Sequence, residues 1–122
     1  MRAGRHDWEY LQDILRMIDE IKRFVSTVDY DEFLIDNRTN FAVIHALQTI
    51  GEAAKNLPES LRNRYPAVPW KQMAGMRDRL AHGYLDVDLR IVWETATEFA
   101  QALRPTIAQA IAAEQAKATD DG

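Results

Sequence analysis

The sequence has no cysteine, which removes disulfide bridges, thiolate catalysis and cysteine-ligated zinc together and fits a reducing compartment. No apolar run approaches the length that crosses a bilayer, and the stretch Met1 to Asp7 lacks the hydrophobic segment of a secretory leader. A cytoplasmic location without membrane attachment is expected. There is no glycine-rich phosphate loop and no serine–histidine–aspartate arrangement, and no two of the 3 histidines stand at a ligand spacing. Nothing calls for a metal or a cofactor. Strand-like alternation and internal repeats are missing too.

What is present is amphipathic helix. With 122 residues and 47% hydrophobic content, the chain can bury a core as one domain, residues 1–122. Trp8, Leu11, Ile14, Leu15, Ile18, Ile21 and Val25 recur at steps of three and four, so a first helix is expected from about Asp7 to Val28, with Asp7 as its cap. Asp29 to Leu34 reads as a loop with Tyr30 and Phe33 tucked inward. A second helix follows from about Asn37 to Leu57, capped by Asp36 or Asn37, with the stripe Phe41, Ile44, Leu47, Ile50, Ala54 and Leu57.

Gly51 and Glu52 interrupt that helix. The glycine points to a close backbone approach. The glutamate is either an exposed helical carboxylate or a partly buried one that needs an arginine. Pro58 ends the helix and is expected as the first residue of a short one through Arg64. Pro66 and Pro69 bracket a turn, and Trp70 to His82 forms the next helix, with Met73, Met76 and Leu80 inward and Gly83 closing it. Asp86 or Asp88 caps a last long helix with the stripe Leu89, Val92, Trp93, Ala96, Phe99, Ala100 and Leu103. Pro105 should kink or break it, with Ile107 to Ala113 continuing and a frayed tail from about Ala116 to Gly122. The expected fold is all-α, an up-and-down bundle of four main helices plus a short one, with part of its surface covered in a homodimer.

The net charge of −4 hides an asymmetry. Acids dominate as far as Asp36, whereas Arg62, Arg64, Lys71, Arg77, Arg79 and Arg90 face only Asp78, Asp86 and Asp88 between Arg62 and Arg90. A local basic patch on an acidic protein can hold phosphates, although solvated side chains clustered by chance would look the same.

Within that patch, Met76-Arg77-Asp78-Arg79-Leu80-Ala81-His82-Gly83-Tyr84 concentrates polar chemistry at a helix end. Gly83 turns the chain there, so His82 sits at the terminus, where the dipole favours imidazolium. Arg77 is a fixed cation that can grip a phosphate through two parallel hydrogen bonds. A cation and a titratable imidazole suffice to cleave RNA: the imidazole moves protons and the guanidinium stabilises charge on phosphorus. One histidine cannot easily serve as both acid and base, whereas two copies in a symmetric dimer would supply two. On spacing alone the histidine–glycine pair reads more readily as a helix cap than as a site. His6 lies at the chain start and His45 on a helix, both unremarkable.

The run Arg77, four residues, His82, one residue, Tyr84 resembles the Arg-x4-His-x-Tyr motif of the HEPN superfamily, specifically the HepT-like ribonuclease toxins. Arg38 to Leu47, Ile50-Gly51-Glu52-Ala53-Ala54, Pro69 to Gly75, and Leu85-Asp86-Val87-Asp88 leading to Val92-Trp93 are similar to that family as well. The resemblance implies a cytoplasmic, metal-independent endoribonuclease that needs no cofactor and leaves a cyclic phosphate. Arg77 and His82 would be its catalytic pair and Asp78 a supporting residue. It implies a homodimer in which two motifs share a cleft. Tyr84 would be the tyrosine that an MNT-type nucleotidyltransferase antitoxin modifies with AMP, blocking an RNA cleft by bulk and charge. Arg79, Lys71, Arg62 and Arg64 are the RNA-binding candidates. A different class of function, a non-catalytic helical module that binds and supports a nucleotidyltransferase, stands as the alternative.

Overall fold

The computed structural model is all-α and describes residues 6–80 and 87–121, the side chains of 77–80, 120 and 121 excepted. The first helix, α1 (Asp7–Val25), buries Leu11, Ile14, Ile18 and Ile21 completely. It begins one residue earlier in role than expected. His6 is the N-cap, its amide donating to Glu9 Oε2 at 2.6 Å while Glu9 N–H returns a bond to the His6 carbonyl at 3.0 Å. Asp7 is therefore the first helical residue, and its charge still favours the positive helix end. His6 also stacks on Trp8 with ring centroids 3.9 Å apart. At the other end, the hydroxyls of Ser26 and Thr27 bond the carbonyls of Arg23 and Phe24 and close the helix before Val28.

The segment after it is helical rather than a loop: α2 (Tyr30–Ile35). Asp29 accepts from Glu32 N–H at 2.8 Å and Glu32 Oε1 accepts from Asp29 N–H at 2.9 Å, a reciprocal cap that satisfies two otherwise orphaned donors. Phe33 is fully buried, and Trp93 lies against both Phe33 and Tyr30, with centroids 5.0 and 5.9 Å away.

Helix α3 (Asn37–Asn56) is capped by Asp36, which accepts from Thr39 N–H and Thr39 Oγ1. Its buried face is Asn40, Val43, Ile44, Leu47, Ile50, Gly51 and Ala54. Phe41, expected on that face, is 43% exposed. Asn40 takes the inward position instead because its Nδ2 donates to the Phe33 carbonyl at 3.1 Å, which ties α2 to α3. Glu52 is exposed.

Helix α4 (Glu59–Arg64) starts after Pro58, which is its N-cap and not its first residue: the Pro58 carbonyl accepts from Leu61 and Arg62. Helix α5 (Trp70–Leu80) follows the turn between the two prolines. From Leu89 to Asp121 the backbone is helical throughout, as α6 (Leu89–Glu94), a π-helical turn (Thr95–Phe99) and α7 (Ala100–Asp121). Asp88 caps α6 by accepting from Arg90 N–H at 2.9 Å. Asp86, Gly83 and the side chain of Leu80 lie outside the described residues.

Pro105 does not break this run. A helix-interior proline costs about 3 kcal/mol, but Leu103, Ile107, Ala110 and Ile111 are buried on both sides of it, and α7 packs along α1. Gln101 Nε2 reaches the Ile18 carbonyl and Arg104 pairs with Asp19 at 2.7 Å. The expected frayed tail is likewise helical through Asp121, an alanine-rich stretch supported by the Lys117–Glu114 pair and by Thr119 Oγ1 on the Gln115 carbonyl.

The four long members are thus α1, α3, α5 and the Leu89–Asp121 run, with α1 between α3 and α7 and α5 on the far side of α3. Among the described residues no helix is long and apolar enough to cross a membrane.

Candidate functional site

The expected site residues Arg77, Asp78 and Arg79 fall on α5, and the start of α5 is fixed by Trp70. Its indole is buried to 6% exposure, and Nε1–H is shared between the carbonyls of Arg62 at 3.1 Å and Tyr65 at 3.0 Å. Met73 N–H bonds the Pro69 carbonyl, giving the first turn. Met73 is fully buried and Met76 partly so, and α5 packs against α3. Arg77, Asp78 and Arg79 belong to the last turn of α5 by backbone. Their side chains, and all of His82 and Tyr84, lie outside the described residues.

A groove of about 700 Å³ separates α5 from the Leu89–Asp121 run and is lined by Gln72 and Met76 on one side and by Val87, Ile91, Glu98 and Phe99 on the other. Met76 and Val87, which both line the groove, stand on either side of positions 77–86 in the sequence. The wall formed by Thr95, Glu98 and Phe99 is the π-helical turn itself. Thr95 Oγ1 and Thr97 Oγ1 bond the carbonyls of Ile91 and Trp93 at 2.7 and 2.8 Å, and Ala100 N–H bonds the Thr95 carbonyl. Threonines bonding back in this way loosen an α-helix and fit the wider turn.

A second, shallower groove of about 860 Å³ lies at the start of α5 and includes Arg62, Lys71 and Gln72. Gln72 lines both grooves. The structure therefore brings two of the expected RNA-binding cations together, Arg62 and Lys71, and neither has an ion pair among the described residues.

Arg64 is placed differently. Its Nη2 and Nε bond Glu114 Oε1 and Oε2 at 2.8 and 3.1 Å, and Tyr65 Oη donates to Glu114 Oε2 at 2.7 Å. Burial would raise the Glu114 carboxyl, but the Arg64 guanidinium and the Tyr65 hydroxyl hold it below its ordinary value. Burial, and then the bond to Glu114, push the Tyr65 phenol up. Arg90 is similarly engaged, with Glu94 at 2.9 Å and Asp88 at 4.0 Å. Of the four cations between Arg62 and Arg90 whose side chains are described, Arg64 and Arg90 are thus committed to carboxylates.

Glu114 and the groove-facing Glu98 went unread in the sequence. Little that is local marks Glu114, because the Arg64 and Tyr65 that bond it lie about fifty positions away, and Glu98 looks like any solvated helical glutamate. Among the described residues no group of three or more histidines or carboxylates could hold a metal ion.

A family model described as ribonuclease HepT-like matches residues 14–110, which includes α5, the motif and the groove. A protein named "Probable ribonuclease HepT" from Thermococcus cleftensis is 44% identical over 96 residues, covering 79% of this chain and 87% of that protein. A candidate RNase of Methanocaldococcus jannaschii is 47% identical over 87 residues, covering 71% of this chain and 75% of its own. Another, from Caldanaerobacter subterraneus, is 42% identical over 86 residues, covering 70% and 77%. No solved structure matches the chain significantly.

Proposed function

Since the chain belongs to the HepT-like ribonuclease family, we propose that it is a metal-independent endoribonuclease, the toxin of a toxin–antitoxin pair, acting as a homodimer. The observation that carries this is the family match over residues 14–110, which spans Arg77, His82 and Tyr84 at the motif spacing. Arg77, on the last turn of α5, holds the scissile phosphate. His82 takes the proton of the ribose 2′-hydroxyl, whose oxygen attacks phosphorus, and the partner subunit's His82 protonates the departing 5′-oxygen. The bond from phosphorus to the 5′-oxygen breaks, leaving a cyclic phosphate and a 5′-hydroxyl. Arg77 stabilises the charge gathered on phosphorus, and Asp78 supports its orientation.

Silencing follows from Tyr84. An MNT-type nucleotidyltransferase antitoxin transfers AMP from ATP to its hydroxyl: the tyrosine oxygen bonds the α-phosphorus, the bond from that phosphorus to the α–β bridging oxygen breaks, and pyrophosphate leaves. The added bulk and negative charge close a cationic RNA cleft.

The test is RNA cleavage by the partner-free protein beside a His82→Ala variant. Wild type should cleave and the variant should not; cleavage that survives the substitution refutes the assignment. For Tyr84, incubation with ATP and the transferase should add mass to wild type and none to Tyr84→Phe. Equal mass gain on both would exclude this tyrosine.

A further inference from the structure

The groove between α5 and the Leu89–Asp121 run has a chemistry that phosphate binding does not need. Met76, Val87, Ile91 and Phe99 give it apolar walls, and Gln72 and Glu98 put hydrogen-bonding groups among them. Its volume of about 700 Å³ suits a small ligand. Its charge has the wrong sign for an anion: Asp88, Glu94 and Glu98 line it, and no described lysine or arginine does. Arg90 occupies Asp88 and Glu94, so Glu98 is the one groove carboxylate without an ion pair among the described residues. One wall is a π-helical turn, a register found frequently at functional sites.

The neighbouring groove has the opposite character. Arg62 and Lys71 supply cations there against the single carboxylate of Glu59, and Gln72 joins the two grooves. Along α5, positive charge suited to phosphates thus lies next to an apolar slot rimmed by hydrogen-bond acceptors. A single-stranded polynucleotide has the complementary pattern, an anionic backbone carrying neutral, flat bases with amino donors.

We infer that the α5–α6 groove is a nucleobase subsite for a base bearing an exocyclic amino group, with Glu98 accepting from that amino group and Phe99 walling the ring. A carboxylate accepts well from cytosine N4 and faces repulsion from uracil O4 at the same place. The inference rests on the RNA-cleaving reading for the source of the base, and it adds a residue that selects sequence.

The experiment is methyl NMR on the full chain, titrated separately with cytidine and uridine. Signals of Met76, Val87 and Ile91 should move, with cytidine favoured over uridine by about fivefold or more. Glu98→Gln should erase the preference, and unmoved signals from Leu11 and Ile14 in the core certify that the variant is folded. No movement with either nucleoside, or equal response to both in wild type, overturns the subsite. Groove signals that respond to protein concentration and to no nucleoside also overturn it, because a second copy then covers the groove. The readout needs no cleavage. An inactive protein that prefers cytidine sinks the nuclease reading alone, and an active one without the preference sinks the subsite alone.

Discussion

Arg64 and Glu114 stand fifty positions apart in the chain and meet through two side-chain hydrogen bonds of 3.1 and 2.8 Å. Glu114 is only 8% exposed, and Tyr65 and Lys117 complete its surroundings. The cluster fastens the end of α4 to α7. Glu114 is buried, but the Arg64 side chain is 38% exposed, so water can take over the guanidinium once its partner is gone. Glu114→Ala should therefore cost on the order of 1.5 kcal/mol, the loss of its charge-assisted hydrogen bonds, read as a lower urea midpoint. A loss below about 0.5 kcal/mol would show that the cluster is incidental.

The same pairing divides the basic residues by role. Arg62→Ala and Lys71→Ala should each weaken RNA binding and flatten its dependence on log salt by about 0.7. Arg64→Ala should lower stability and leave the salt slope unchanged. Fluorescence anisotropy with a short single-stranded RNA at several salt concentrations checks all three. An equal slope change for Arg64→Ala would put that side chain on the RNA.

Acid should unfold the protein through three carboxyls. Asp19 is held low by its bond from Arg104, Asp36 by the Thr39 hydroxyl, and Glu114 by Arg64 and Tyr65 against the opposing effect of burial. A folded value below the unfolded one means that the stabilisation is full above the ordinary carboxyl range, about pH 4. It is lost as pH falls through the lower folded values. Glu114→Gln should make the acid limb of stability against pH shallower. The Tyr65 phenol is raised, so its contribution is full below about pH 10 and is lost as pH climbs through the raised value. Tyr65→Phe should remove that alkaline loss. Thermal melts between pH 2.5 and 11 would reveal either limb unchanged if these assignments are wrong.

Gly75 offers a stabilising change. A Cβ built there meets nothing within 4 Å, and the residue lies inside α5. Gly75→Ala should raise stability by about 0.5–1 kcal/mol, measured by urea unfolding. A decrease would mean that a partner's backbone needs the space.

Much of this fold was readable from spacing. The long helices announced themselves because isoleucines and leucines recur at three and four, and those residues are the buried ones. Helix α2 escaped because six residues are too few to display a period, although Asp29 and Glu32 carried the reciprocal-cap signature. Phe41 was read inward on hydrophobicity. What turns Asn40 inward in its place is a bond to a carbonyl seven residues away, which no stripe encodes. At the site, the motif could be read as local spacing and the helix that carries it was found. The fate of Arg64 could not be read, since charge composition counts cations without saying which are already spent on α7. The groove was also hidden, being a gap between elements distant in sequence.

The last helical run widens into a π turn at Thr95–Phe99. A π turn is an α-helix that has accepted one residue too many, so the chain here carries a spare position. Val92, Ala96 and Ala100 all face the core at intervals of four, a spacing that drifts off an ordinary helical stripe and stays on it where the turn is widened. Taking out one residue would tighten the turn and rotate the whole of α7 relative to α6. Asp19 would then lose Arg104, and Glu114 would swing away from Arg64. The register of the bundle's last helix is set by that single extra residue.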